Sequence, residues 1–346
     1  MKRRFRILIA GLLVMMLAAA IPCQAANWIW AKGNLHTHTT NSDGDSEPQV
    51  VADWYNGHGY QFLAITDHGR VTDPIPLDKD PNDGFVLFGG EELGVKGAKP
   101  PIHGNALGIS QTIDNAEKKV TPARSLAGMV EHIRNAGGIP QVNHPNFVWS
   151  FGHRELLSIN GPYLLEVFNG HPSVNNAGDE AFLQVEQTWD ILLSWGKTVY
   201  ATATDDAHSF KNISPGAANP GRGWVVVRAP ELAPQAILAS LAKGDFYAST
   251  GVELEDYTFD DRELRVRVAP EAEKTYFIRF VGKWGEILQE TVGTSAAYRA
   301  PDKVEPNAYV RCKVISSDGK VAWTQAHRVK SRLPVGEEVV FPPRTP

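Results

Sequence analysis

Histidines and carboxylates recur along this chain in short segments of one design. They are "HTHTTNSDG" with His36, His38 and Asp43, "TDHG" with His68, "GEELG" with Glu91 and Glu92, "IHGNALGI" with His103, "VNHPN" with His144, and "TDDAH" with Asp205, Asp206 and His208. Imidazole nitrogens mixed with carboxylate oxygens suit zinc, manganese or iron, whereas calcium and magnesium prefer oxygen alone. The rings of "HTH" are two residues apart, so on an extended strand they point to one side and can grip one ion. Asp206 and His208 repeat that spacing, and "TDH" runs into Gly69, which lets the chain turn His68 aside. A lone HxH carries little information, and a histidine beside an apolar strand is usually a satisfied polar group. The order and joint placement of the segments carry the argument. His58 and His132 on helical patterns, His153 in a loop and His327 in a later β region fall outside the set. His171 in "NGHP" sits at a strand end with either role open.

Donors spread from His36 to His208 need a scaffold that gathers them. From Trp28 to about Thr250, short apolar runs read as buried strands: "GYQFLAITD", "FVLFGGEE", "GNALGI", "GGIPQVNHP", "YLLEVFNG", "KTVYATATDD" and "GRGWVVVRAP". Helical patterns lie between several of them. "SEPQVVADWYNGHG" opens with Ser46 as N-cap, and "TPARSLAGMVEHIRNAGG" with Thr121 as N-cap, Pro122 at N1 and Gly137 past its end. "DEAFLQVEQTWDILLSWG" and "APQAILASLAKG" follow the same plan. Strand, helix, strand in this order predicts parallel βα units, closed into a barrel or doubly wound. In a parallel barrel all C-terminal strand ends open on one face, and seven of the eleven histidines, His36, His38, His68, His103, His144, His171 and His208, fall at or just past a strand end or in the loop that follows it. After Gly251 the pattern changes to period-two alternation with turn signals such as "SSDG", which predicts a small all-β, sandwich-like region over 252–346.

The chain has 346 residues, 42% hydrophobic and 21% charged, with net charge −5, so nothing suggests a nucleic-acid-coating protein. "MKRRFR" followed by "ILIAGLLVMMLAAAI" and "CQA" reads as a secretory signal peptide over 1–26, cleaved near Ala25 or Ala26. The apolar run is shorter than a bilayer-spanning helix needs. Cleavage removes Cys23 and leaves Cys312 alone, hence no internal disulfide. The expected product is periplasmic or secreted, without a stable membrane anchor.

As a set, HxHxxxxD, TDH, G-x-E, a lone His, NHP and DxH resemble the PHP (polymerase and histidinol phosphatase) family, over about residues 34–250. "LEVFNG" and "LAKGDFYASTGV" resemble its secreted bacterial branch. The resemblance implies a distorted (β/α)7 barrel over 27–251 with two or three divalent ions (Zn, Mn or Fe). It implies that His36, His38 and Asp206 hold a first ion, with Glu92 bridging to a second completed by His103 and His144. Asp43, His68 and His208 would hold a third. Glu91 stays open as the alternative to Glu92, and Asp205 as the alternative to Asp206. Asp67 is expected to orient a ligand from behind.

The chemistry this implies is hydrolysis of a phosphate mono- or diester by a metal-bound hydroxide at a di- or trinuclear site. A carbamate, ester or amide carbonyl is the alternative target, and a metal- or sugar-binding module without catalysis is a third reading. Arg70 and Arg222 are candidate phosphate clamps and His171 a candidate proton donor to the leaving group. The expected partner is a small phosphoester, not nucleic acid. The sequence leaves the oligomeric state open.

Overall fold

The computed structural model describes residues 28–80 and 83–332. The expected leader, Cys23 and the tail "FPPRTP" lie outside the described residues. The described chain is a mixed α/β fold with one large sheet and few helices. Its elements in order are β1 (Ile29–Asn34), α1 (Pro48–Gly57), β2 (Phe62–Ile65), β3 (Val86–Gly94), β4 (His103–Leu107), α2 (Pro122–Asn135), β5 (Ile139–Val142), α3 (His153–Leu156), β6 (Tyr163–Asn169), α4 (Val185–Ser194), β7 (Val199–Thr204), β8 (Trp224–Ala229), α5 (Pro234–Lys243) and β9 (Phe246–Ser249). An all-strand stretch follows: β10 (Leu254–Asp260), β11 (Glu263–Val268), β12 (Tyr276–Val281), β13 (Ile287–Val292), β14 (Ser295–Arg299), β15 (Tyr309–Ser316), β16 (Val321–Thr324) and β17 (His327–Arg328).

The large sheet runs β13-β12-β15-β16-β9-β8-β1-β2-β3-β4-β5-β6-β7, and β10-β11-β14 form a second sheet. β1, β2 and β3 are parallel, as are β5, β6 and β7. β4 runs antiparallel to both β3 and β5, and β8 antiparallel to β1, so the expectation of uniformly parallel βα units is corrected. The reason is local. Only the short segment 95–102 joins β3 to β4, too little chain for the crossover that a parallel partner requires. Beyond β7 the chain closes back on the chain beyond β1, where Asp206 N–H donates to His36 O (3.0 Å) and His38 N–H to Ala207 O (2.9 Å).

Helix ends follow their residue chemistry with two departures. Thr121 Oγ1 accepts from Arg124 N–H at the start of α2, and Gly244 ends α5 in the left-handed region that suits glycine. Ser46 does not cap α1; its hydroxyl donates to Asp45 Oδ1, and the helix starts after Glu47. α4 begins six residues later than the pattern from 179 predicts, because Asp179 Oδ1 accepts from the Ala181 and Phe182 N–H groups and holds a turn there. The core sits on both faces of the strands. Leu35, Phe62, Ala64, Phe88, Leu107, Leu164 and Val225 pack together, while α2 and α4 bury Met129, Ile133 and Trp189 against β4–β7. Tyr309 and Trp323, from the all-strand stretch, belong to that second cluster. Gln325 clamps β7 through both its amide atoms, one accepting from Ala201 N–H and one donating to Ala201 O.

Candidate metal centre

β1 delivers His36 and His38 immediately past its end, and both rings are fully buried. β3 delivers Glu92 from its interior, where strand alternation sends Glu91 to the opposite face. Glu91 accepts from Ile113 N–H instead, and burial pushes its carboxyl up to about 7. His103 opens β4 rather than following a strand, because β4 is reversed and its N-terminus lies at the mouth where its neighbours end. His144 follows β5 and Asp206 follows β7, both with left-handed backbone (φ 27° and 50°), a strained conformation for residues that carry a Cβ. Gly69 (φ 64°) follows His68, whose segment bridges to that of Glu92. Gly44 lies so close to the His38 backbone that a Cβ would sit 2.6 Å from its carbonyl, which fixes the loop that carries Asp43.

The donors converge on Glu92. Its Oε2 lies 3.2 Å from His36 Nε2, 3.2 Å from His38 Nε2 and 3.4 Å from His68 Nε2. Its Oε1 lies 3.2 Å from both His103 Nδ1 and His144 Nε2. Asp206 Oδ1 is 3.3 Å from Nε2 of both His36 and His38. Asp43 meets His208 Nε2 at 3.4 Å and His68 Nε2 at 3.7 Å. Among the described residues the ligand atoms form three groups, each with its atoms within 4.8 Å of one another: His36–His38–Asp206, His36–Glu92–His144, and His38–Asp43–His68–His208. The grouping implied by the resemblance put His38 only with the first, whereas here its Nδ1 also lies 3.4 Å from Asp43 Oδ1, beside the third.

The donor set fits a cation. Nε2 of His36 and of His38 are buried without a hydrogen-bond partner although carboxylate oxygens stand 3.2–3.3 Å away, so their lone pairs aim at shared space. Burial lowers the basicity of both rings, but the Asp206 and Glu92 carboxylates outweigh it. His36 is held well above the ordinary imidazole range and His38 is raised to about 9. For Glu92 and Asp206 burial works upward, yet the histidines hold both carboxyls well below their usual range. A pocket that binds protons this strongly is strongly negative and attracts any cation that replaces them.

The remaining candidates divide. Asp205 turns away from the cluster to accept from Tyr55 Oη and the Arg222 and Gly223 N–H groups, and burial raises its carboxyl. Asp67 accepts from the Thr39 N–H and the Thr39, Ser42 and Thr72 hydroxyls, so it organises the loop behind Asp43. Arg222 is not placed as a phosphate clamp. Its guanidinium donates to the Gly170, Ser214 and Pro215 carbonyls and to Asn219 Oδ1, because the loops beyond β6 and β7 leave these acceptors unpaired. Arg70 is exposed beside His68. The His171 ring lies 5.5 Å from that of His208, and its Nδ1 accepts from Ser173 N–H, so a neutral ring carries its proton on Nε2. Burial lowers its basicity. His58 stacks on Trp54, His132 bonds Asp114 O and His327 stacks on Phe259, all away from the cluster. Sequence reasoning missed Asn143, which donates to Glu92 Oε1, and Glu166, which faces His36 Nδ1 at 2.6 Å. A lone acid among the apolar residues of β6 was the available signal for Glu166, since a buried carboxylate needs partners.

Fold and site together define a mixed α/β protein with a buried centre of histidines and carboxylates. No protein-family model matches the chain, and no curated protein does. Among solved structures it is similar to a two-domain protein of Bacteroides vulgatus containing a predicted PHP-like metal-dependent phosphoesterase, at 16% identity and TM-score 0.46 over 87% of this chain and 96% of that one. It is also similar to an amidohydrolase of Chromobacterium violaceum with bound sulfate and no metal, at 16% identity and TM-score 0.36 over 55% of this chain and 94% of that one.

Proposed function

We propose that the chain is a PHP-type metal-dependent hydrolase that cleaves a phosphate mono- or diester at a centre of two or three divalent transition-metal ions, zinc, manganese or iron. One observation carries this reading: a single buried carboxylate, Glu92, faces three histidines with one oxygen and two with the other. His36, His38 and Asp206 would hold one ion, Glu92, His103 and His144 a second, and Asp43, His68 and His208 a third. Bound there, such ions lower the pKa of water toward neutrality and offset the charge that grows on phosphoryl oxygens.

The chain's own groups do the rest. His36, His38, Glu92, His144 and Asp206 are buried away from bulk water, while Asp43 (55% side-chain exposure) and His68 (36%) mark the side that substrate approaches. His171, whose ring lies 5.5 Å from that of His208, would offer its Nε2 proton to a leaving-group or non-bridging oxygen. Arg70, exposed beside His68, offers a guanidinium to the phosphate. The scaffold under this reading is a distorted barrel of β1–β7, supported by the hydrogen bonds between the chain beyond β7 and beyond β1. The strands after Gly251 form its sandwich-like partner domain. No helix among the described residues is long and apolar enough to cross a membrane. With the leader read in the sequence, the enzyme works in the periplasm or outside the cell.

The test is a panel of phosphomonoesters, phosphodiesters and aryl carbamates, with metal content measured on the same preparation. Phosphoester turnover that chelator abolishes and zinc or manganese restores supports the proposal. Turnover of carbamates alone overturns the phosphoester assignment, and chelator-insensitive activity overturns the metal centre.

A further inference from the structure

Glu166, on β6, is buried and bonds to groups on every side of the centre. Its Oε1 receives the His36 Nδ1 proton (2.6 Å), the Thr204 hydroxyl (2.7 Å) and the Gln141 amide (3.2 Å). Its Oε2 receives the backbone N–H of His144 (2.8 Å) and the side-chain amide of Asn169 (2.9 Å). Asn169 also donates to Asp206 Oδ2 at 3.1 Å. One carboxylate on β6 thus reaches ligands that arrive from β1, β5 and β7.

We infer that Glu166 is a positioning residue that couples the two buried ion sites. Resting on the proposed metal centre, this assigns it a role that the ligand set does not contain. A carboxylate at Nδ1 fixes the tautomer of His36, leaving the Nε2 lone pair for an ion, and strengthens that nitrogen as a ligand. The other oxygen holds the His144 backbone in its left-handed conformation, which otherwise relaxes for a residue with a Cβ. The amide of Asn169 orients Asp206. His36 and Asp206 belong to one group and His144 to the other, so filling one site preorganises the other through Glu166. The charge matters as well as the shape. All five groups around Glu166 present hydrogens, and only a carboxylate has acceptors on both sides.

Glu166→Gln tests this, because the amide keeps the volume but turns two hydrogens toward the His144 N–H and Asn169. The readouts are cobalt affinity by competition with a chromophoric chelator, stoichiometry, and the visible cobalt spectrum. Both tight binding steps should weaken together by about 10–100-fold. The spectrum should change at both steps, while the exposed Asp43–His68–His208 step keeps its affinity. A filler that only packs the interior would leave the spectrum of bound cobalt unaltered. Unaltered affinities and spectrum in E166Q overturn the inference, as does weakening of the His36 step alone. If E166Q does not fold, Asn169→Ala removes the amide that joins Glu166 to Asp206, together with its bond to the His171 N–H, and should still weaken the first step; an unchanged first step overturns the inference. Wild-type protein that binds no cobalt overturns the metal centre itself, a distinct result from wild-type binding that E166Q leaves untouched.

Discussion

Asp190 on α4 is the anchor of a buried ionic knot with the C-terminal strands. It accepts from Tyr309 Oη (2.7 Å) and from Arg311 through Nε (2.7 Å) and Nη2 (2.6 Å), and Glu186 takes a further Nη2 proton at 2.9 Å. Arg311 is 1% exposed, lies over Trp189 at 4.8 Å, and its Nη1 has no partner. Burial works against its charge, but Asp190 and Glu186 outweigh that and raise its pKa. Asp190→Ala would leave this guanidinium inside the protein with Glu186 alone. Removing one partner of a buried pair costs about 3–5 kcal/mol, and the surviving Glu186 contact argues for the lower figure, about 3 kcal/mol. With an unfolding entropy of about 2.1 cal/mol/K per residue over roughly 300 residues, that is a fall in Tm of about 5 °C. Calorimetry on wild type, D190A, R311M and the double variant reads it. The double variant should recover much of the loss, because replacing a buried pair by apolar groups is often neutral. A D190A shift below about 1 °C, or a double variant as unstable as the sum of both singles, refutes the reasoning.

Asp43→Ala should lower the metal content of zinc-loaded protein by one ion while the two ions around Glu92 stay, as elemental analysis after gel filtration will read. Arg222→Ala should lower Tm by several degrees through the loss of four loop contacts, with kcat/KM falling equally for substrates of different phosphate charge; a KM defect confined to doubly charged monoesters would restore the clamp. His327 is pushed down to about 4 by burial and by nearby Arg228. An unfolded histidine titrates near about 6.5, so this depressed folded value leaves stability intact above that pH. Stability then falls as pH drops from about 6.5 toward 4, by at most about 3 kcal/mol. His327→Phe should flatten that part of a urea-derived stability profile.

The donors were legible because strand-end histidines and acids need no long-range information. The spacing in HxH and DxH already places side chains on one side. What the sequence hid was direction. Nothing within "IHGNALGI" says that β4 runs backwards, so His103 looked like a residue after a strand when it begins one. Arg222 looked like a ligand for phosphate because nothing in the sequence shows that its own loop folds back to offer Ser214, Pro215 and Asn219 as acceptors, or that the distant Gly170 carbonyl joins them. Glu166 carries no spacing signature; its partners lie on β1, β5, β6 and β7 and meet only when the strands pack. The late start of α4 reflects competition between an aspartate turn and an apolar pattern that is helical in both readings.

The most direct test of the centre is anomalous diffraction from crystals grown with zinc or manganese, recorded on both sides of the metal's absorption edge. The account predicts strong peaks on either side of Glu92, one about 2.0–2.2 Å from Nε2 of His36 and of His38 and the other equally close to Nε2 of His144. Crystals of folded, metal-saturated protein with no anomalous peak within reach of Glu92 would contradict it.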